Sequence, residues 1–156
     1  MISIVTSYYN RKKLFEETLK TIKRSEIKDI EFIVVDDGSD PAHRLESLLP
    51  KYPFLKIIRL EKEDKWYINP CVPFNVGIRA AQGDKIILQN PECLHVHDVL
   101  KCVDEELTDN NYISMSCYAV DSTQNKSVPE HSANGTLSEF IKTLPQKIYI
   151  GGNNAG

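Results

Sequence analysis

Short apolar runs alternate along the chain with stretches in which apolar residues recur every three or four positions. Such runs predict buried strands, and the wider spacing predicts amphipathic helices. The pattern predicts five strands, at residues 2–6, 30–35, 55–60, 85–88 and 112–120. It predicts helices at residues 12–24, 41–49, 74–82 and 98–107, and a last short one that begins at the Thr136 capping box.

This alternation of strands and helices predicts an α/β fold, a three-layer α/β/α sandwich around a mostly parallel sheet. A length of 156 residues suits a single domain, residues 1–156. Ligands of such sheets bind beyond the carboxyl ends of the strands. Functional residues are therefore expected in the loops at 6–11, 36–40, 60–66 and 89–92.

Charge and composition narrow the classes of partner. The chain has 19 Lys and Arg residues against 22 Asp and Glu residues, a net charge of −3, which argues against nucleic acid as a partner. No apolar stretch approaches the roughly 20 residues of a transmembrane helix. The amino terminus lacks the basic region of a secretion signal, so a cytoplasmic location with reduced cysteines is expected.

The loop after the first strand contains no glycine, which excludes the pyrophosphate turn of a dinucleotide-binding domain. Its tyrosines, Tyr8 and Tyr9, are predicted to wall a flat pocket for a nucleotide base, the alternative being that they are rim or core aromatics. After the second strand, Asp36 and Asp37 are predicted to accept hydrogen bonds from ribose hydroxyls or from the N–H of uracil. Asp40 is expected only to cap the following helix.

Three blocks of sequence resemble the family 2 glycosyltransferases, which are inverting enzymes of GT-A fold. Residues 2–10 and 31–40 are similar to the opening of the family, and residues 75–84 are similar to its later N-x-G-x-x-x-A-x-G-[DE] stretch. The resemblance implies a nucleotide-sugar donor, usually a uridine one, contacted by Thr6, Tyr8 and Asp37. It also implies that Asp36 supports the same loop.

The family's D-x-D motif, which holds Mn²⁺ or Mg²⁺ on the donor diphosphate, should follow the fourth strand. That place holds Gln89-Asn90-Pro91-Glu92, in which Glu92 alone is charged. Hard divalent cations prefer carboxylate oxygens. The metal site is therefore expected either to be weak, with Glu92 as its protein ligand, or to be absent, with the diphosphate neutralised by nearby cations such as Lys62, Lys65 or Arg79.

The segments from Trp66 to Cys71 and from Gln89 to His95 resemble a subgroup of family 2-like sequences with a W-x-N-P-C and Q-N-P-E pair. Trp66 is expected either to line the donor-sugar pocket or to anchor its loop on the core. Together with Arg79 and Asn90 it forms the predicted donor-sugar and diphosphate group.

Cysteines and histidines also cluster just beyond the fourth strand. Solvated or helix-capping histidines are predicted there rather than a zinc site. The group comprises Cys93, His95, His97 and Cys102.

No catalytic residue is predicted, because the family's general base lies beyond the last residue of this sequence. Residues 149–156 are similar to the glycine-rich loop that enters the acceptor-binding half. The chain is thus expected to lack that segment, and the hydroxyl acceptor (glycan, protein or lipid) is unknown.

Three functions remain open from the sequence. The first is an inverting hexosyltransferase that binds a nucleotide-diphosphate sugar, expected to be a UDP-sugar. The second is a nucleotidyltransferase, although the glycine- and arginine-rich loop of that class is missing. The third is a non-catalytic nucleotide-sugar-binding or partner module, which the absent D-x-D motif and the missing base keep open. Fold alone does not decide among the three.

Overall fold

The structure is a computed structural model that describes residues 1–144 and 148–149. Contacts divide the chain into two compact units, Met1–Asp104 and a second one that begins at Glu105. The predicted glycine-rich tail, residues 151–156, lies outside the described part.

The first unit is built on a sheet of four parallel strands in the order β3-β2-β1-β4. The strands are β1 (Ile2–Tyr8), β2 (Ile30–Asp37), β3 (Leu55–Leu60) and β4 (Lys85–Leu88). From β1 the chain adds β2 and β3 on one side and then β4 on the other. The direction of strand addition reverses between β1 and β4, the place where ligands of such sheets bind.

Helices cover both faces of this sheet. They are α1 (Lys12–Lys23) on one face and α2 (Cys71–Ala80) on the other, and a third helix, α3 (Val99–Glu106), follows β4. In α1, Phe15 packs against Phe32 of β2 with ring centres 5.3 Å apart. In α2, Gly77 approaches Val35 of the same strand. Since Phe32 and Val35 are three positions apart, they face opposite sides of the sheet, and the predicted three-layer α/β sandwich is confirmed.

A buried carboxylate fixes the amino edge of the sheet. Glu31, near the start of β2, accepts hydrogen bonds of 2.6 Å from Ser3 Oγ, Lys56 Nζ and the backbone N–H of Gln82. Burial alone would raise the pKa of Glu31, but these three donors outweigh it and lower the pKa to about 2. The turn between α2 and β4 is thereby tied to the first strands of the sheet.

The predicted helix at residues 41–49 is wrong. The segment forms two short 3₁₀ turns, Pro41–His43 and Glu46–Leu48, because Arg44 between them is extended (φ −64°, ψ 147°). Asp40 does not cap the first turn with its side chain, which instead accepts a hydrogen bond from Asn10.

The second unit contains α4 (Val128–Asn134) and α5 (Leu137–Lys142) among its described residues. The predicted strand at residues 112–120 is reduced to β5 (Cys117–Tyr118), which pairs antiparallel with β6 (Ile148–Tyr149) in a separate two-stranded sheet. Thr136 precedes α5 as predicted, but its side chain makes no capping hydrogen bond. Among the described residues, none of the helices has the length and apolar character that crossing a membrane requires.

Candidate functional site

The loops that follow β1 and β2 are joined by reciprocal hydrogen bonds. Asn10, in the left-handed region at φ +50°, donates from Nδ2 to Asp40 at 2.7 Å and accepts from the Asp40 backbone N–H at 2.9 Å. Its own N–H donates to Ser39 Oγ at 3.0 Å. These bonds hold the two loops together at the carboxyl edge of the sheet.

Asp36 is buried and is used entirely within the protein. Its carboxylate accepts from the Ser39 N–H at 2.9 Å and from the Arg59 guanidinium at 2.7 Å. Burial alone would lower the pKa of Arg59, but hydrogen bonding and charge from Glu46 and Asp36 raise it. Asp36 is thus placed to support the loop that carries its neighbour.

Asp37 ends β2 and faces the loop between β3 and α2. Its carboxylate accepts from Lys65 Nζ at 2.6 Å and from the Tyr67 hydroxyl at 2.7 Å. Burial, reinforced by this hydrogen bond and the Asp37 charge, raises the pKa of Tyr67 to about 12. The phenol therefore stays protonated and donates to the carboxylate.

Gly38 lets the β3–α2 loop, residues 61–70, approach this turn. Its φ of +83° lies in the left-handed region, and a Cβ added there would come within 3.1 Å of Lys62 Cβ. The loop therefore lies against the end of β2, where Lys65 and Tyr67 reach Asp37.

Tyr8 requires a correction, because its side chain is fully buried. Its ring lies 5.6 Å from that of Phe15, and its hydroxyl donates to the His43 carbonyl at 2.7 Å. It is a core aromatic in this structure and offers no surface to a base. Thr6 is likewise fully buried within β1. The structure therefore brings Asp37 to the open edge but not the side chains of Thr6 and Tyr8.

Tyr9 is the aromatic residue of this loop that is open to ligand. It is 46% exposed, and Lys65 Nζ lies 5.9 Å from the centre of its ring. The same ammonium donates a hydrogen bond to Asp37, so the exposed ring, the cation and the carboxylate lie together at the ends of β1 and β2.

The structure does not bring together all three residues of the predicted donor-sugar and diphosphate group. Trp66 is 84% exposed and packs edge-on against Tyr67, so its alternative role as a loop anchor on the core is wrong. Asn90 is exposed in the loop after β4. Arg79 lies elsewhere: it is in the last turn of α2, shortly before Gly83, whose N–H donates to Ser3 at the start of β1. That position is the amino edge of the sheet, away from Asp37.

The loop after β4 does not fit a divalent cation. Gln89 is hydrogen-bonded within its own loop, to His95 at 2.8 Å and to the Cys93 carbonyl at 3.4 Å. Glu92 forms an ion pair with Arg11, which ends the loop after β1. The other Glu92 carboxylate oxygen is buried without a hydrogen-bond partner among the described residues. A dication there would have one carboxylate and a guanidinium as its neighbours, a set that repels it as much as it attracts it.

Among the cysteines and histidines after β4, His95 is mostly buried and forms a hydrogen bond within its own loop. Burial lowers the pKa of His95 to about 4, so the ring is neutral and hydrogen-bonds Gln89 rather than being solvated. Within residues 1–144, where the structure describes the side chains, no group of three His, Cys, Asp or Glu side chains is arranged to hold a metal ion.

Two residues of this edge were missed by sequence reasoning. Arg11 carried a usable signal, since it is the first cation after β1 and therefore adjoins the point where strand order reverses. Tyr67 carried none, because nothing in its local sequence shows that the loop folds back onto Asp37.

Comparison with known proteins agrees with this architecture. The sequence profile described as Glycosyl transferase family 2 matches residues 3–155. An uncharacterised glycosyltransferase of Bacillus subtilis, YwdF, is 33% identical over 87 residues, which are 56% of this chain and 31% of that protein. The chondroitin synthase of Escherichia coli is 31% identical over 88 residues, which are 56% of this chain and 12% of the synthase. The chain matches less than a third of the length of either relative.

Solved structures share the fold. The mannosyltransferase PcManGT of Pyrobaculum calidifontis, solved with GDP-Man and Mn²⁺, superposes with a TM-score of 0.59 at 19% identity, covering 86% of this chain and 37% of that one. TarS of S. aureus gives a TM-score of 0.52 at 23% identity, covering 67% of this chain and 19% of that one. With the parallel sheet and the match over residues 3–155, these likenesses identify the chain as a member of glycosyl transferase family 2, with the α/β GT-A fold.

Proposed function

We propose that this chain binds the nucleotide of a nucleotide-diphosphate sugar at the carboxyl edge of its sheet, as the donor-binding part of a glycosyltransferase. The observation that carries the proposal is the Asp37 carboxylate at the end of β2, which is linked through Lys65 to the exposed ring of Tyr9. An aromatic face and a carboxylate are the two groups that a nucleoside needs, one for stacking and one for hydrogen bonding.

The base would stack on Tyr9 while its N–H donates to Asp37. In the absence of nucleotide, Lys65 and Tyr67 satisfy that carboxylate at 2.6 and 2.7 Å. Lys65 is partly exposed, with 30% of its side chain open to solvent, so it can move without disturbing the core. Ligand entry would thus exchange one set of donors to Asp37 for another.

The donor is proposed to be a UDP-sugar, in keeping with the usual donor of the family. Both uracil and guanine present a ring N–H that a carboxylate accepts, and the mannosyltransferase neighbour was solved with GDP-Man. Uridine and guanosine diphosphates are therefore the two ligands to compare first.

The reaction proposed for the whole enzyme is inverting transfer to an acceptor hydroxyl. A general base removes the hydroxyl proton while the oxygen attacks the anomeric carbon, and the nucleoside diphosphate leaves with the electrons of the broken bond. Trp66 is proposed to cover the sugar, a role supported by its exposure on the loop that reaches Asp37. No residue of this chain is assigned as the base.

Calorimetric titration of the purified chain tests the proposal. UDP is expected to bind, and Asp37→Ala is expected to weaken binding of both uridine and UDP about tenfold, since a hydrogen bond to a charged group is lost. Asp29→Ala is the matched control, because Asp29 is an 80% exposed aspartate just before β2, at the other end of the same strand. The affinity of Asp29→Ala for UDP should equal that of the parent chain.

The folded state of both variants is checked by thermal unfolding. Failure of UDP and GDP to bind at millimolar concentration would contradict the donor-site proposal. Binding that is unchanged in folded Asp37→Ala would remove Asp37 from the site.

A further inference from the structure

The ion pair between Arg11 and Glu92 crosses the point where the strand order reverses. Arg11 follows β1 and Glu92 follows β4, and these two strands are hydrogen-bonded neighbours. The carboxylate that a metal would need is therefore already paired with a cation. The Arg11 guanidinium therefore supplies a positive charge at the loop where the family has its metal-binding motif.

We propose that this chain binds the diphosphate of its nucleotide without a divalent cation, with Arg11 and Lys65 supplying the positive charge. The inference rests on the proposed nucleotide-binding function. It concerns the charge at the diphosphate, which is a separate question from recognition of the base.

The Arg11 guanidinium has N–H donors that its bond to Glu92 does not use. Arg11 is 52% exposed and gives a hydrogen bond to Glu92 from one of the two terminal nitrogens of its guanidinium, which carries five N–H donors in all. A guanidinium binds phosphate oxygens in pairs, so the Glu92 bond leaves it able to take a phosphate as well.

Lys65 lies on the β2 side of the β1 loop. Its ammonium contacts Asp37 and lies over the Tyr9 ring, which places it across the ends of β1 and β2. When a base hydrogen-bonds to Asp37, the Lys65 ammonium loses its carboxylate partner. A phosphate group of the same ligand is an anion that can replace that carboxylate. Arg11, in the β1 loop, pairs with Glu92 after β4, whereas Lys65 pairs with Asp37 after β2, so the two cations contact the loops on either side of β1.

The Glu92→Gln variant distinguishes a metal site from a metal-free site, because the two predict different changes in UDP affinity. If Glu92 were a metal ligand, the amide would weaken UDP binding and abolish any effect of Mn²⁺. Under our proposal the amide releases Arg11 and removes a negative charge from beside the diphosphate. UDP binding to Glu92→Gln in EDTA should then be as tight as in the parent chain or tighter.

Calorimetry of the full chain with UDP supplies the remaining measurements. In EDTA and in Mn²⁺ the dissociation constants for UDP should agree within about threefold, which is less than one hydrogen bond to a charged group contributes. Arg11→Gln should weaken UDP binding about tenfold and leave uridine binding unchanged. Lys65→Gln should also weaken UDP binding about tenfold but should not weaken uridine binding, because it removes a donor that competes with the base for Asp37. Lys13→Gln, an exposed cation two positions beyond Arg11, is the control and should bind UDP like the parent chain.

The outcomes separate this inference from the proposed function. Tight UDP binding that requires Mn²⁺, and that Glu92→Gln destroys, would overturn the inference and leave the donor site standing. Equal affinity of Arg11→Gln, Lys65→Gln and Lys13→Gln for UDP would also overturn it. No binding of UDP or GDP in either buffer would overturn both proposals.

Discussion

The two aspartates that end β2 differ in what they are free to do. Asp36 is fully buried, and both of its oxygens are held by Ser39 and Arg59. Asp37 is held by Lys65 and Tyr67, side chains of a loop rather than of the core. One carboxylate therefore maintains the shape of the turn, and its neighbour is the one able to exchange partners with a ligand.

Glu31, at the opposite edge of the sheet, is like Asp36 a carboxylate with a purely structural role. Glu31→Gln should lower the free energy of unfolding by about 2 kcal/mol at neutral pH, because charge-assisted hydrogen bonds to Ser3, Lys56 and Gln82 are weakened. UDP binding should be unaffected, since Glu31 lies away from the candidate site.

The pH dependence of this effect has a defined sign. The pKa of Glu31 is about 2 in the folded chain against an ordinary value of 4.5, so the unfolded chain takes up the proton first on acidification. The stabilisation is complete above pH 4.5 and is lost as the pH falls toward 2. Chemical denaturation at several pH values should show this loss in the parent chain and a smaller one in Glu31→Gln. Parallel curves would contradict the assignment.

At the scale of elements, α2 is fixed to the sheet by the absence of a side chain. A Cβ added to Gly77 would lie 2.4 Å from Val5 Cγ1 and 3.1 Å from Val35 Cγ2. The helix can approach the strands this closely only because the residue is glycine. This contact sets how closely α2 packs on the sheet, and with it the position where the loop that carries Lys65 and Tyr67 ends.

Gly77→Ala should therefore destabilise the chain by about 1 to 3 kcal/mol through overpacking. The sign is informative, because the same change at an exposed helical position stabilises by about 1 kcal/mol. Asn75→Ala, at an exposed position of the same helix, is the control and should change stability little. A Gly77→Ala variant as stable as the parent in urea denaturation would show that the close contact is not maintained in solution.

Elements whose signal is local were predictable from the sequence. The apolar runs of β3 and β4 match the observed bounds, and α1 differs from its prediction by one residue. The segment at residues 41–49 failed because Leu45 and Leu48 are buried by two separate 3₁₀ turns, which mimic helical spacing without a continuous helix.

The candidate site was predictable at its carboxylates and much less so at its other side chains. β1 runs two residues further than predicted, to Tyr8, so Tyr8 belongs to the buried strand and Tyr9 to the open loop. The misplacement of Arg79 was avoidable, because a helix that returns from one strand end to the next strand start must finish at the amino edge. The partners of Asp37 depend on how a long loop folds, which no local pattern encodes.

At the scale of the whole molecule, four loops meet along the carboxyl edge of one parallel sheet, and an ion pair bridges the point where its strand order reverses. The chain matches only part of the length of its relatives. We therefore expect the nucleotide to bind at this edge.

Mapping of backbone amide shifts by NMR during a UDP titration tests that claim most directly. Shifts are expected to concentrate in the loops at residues 9–11, 38–40, 61–67 and 89–92 and at Asp36 and Asp37, with the amides around Arg79 and Gly83 unchanged. Saturable shifts centred on the amino edge, or on residues beyond 105 alone, would contradict it.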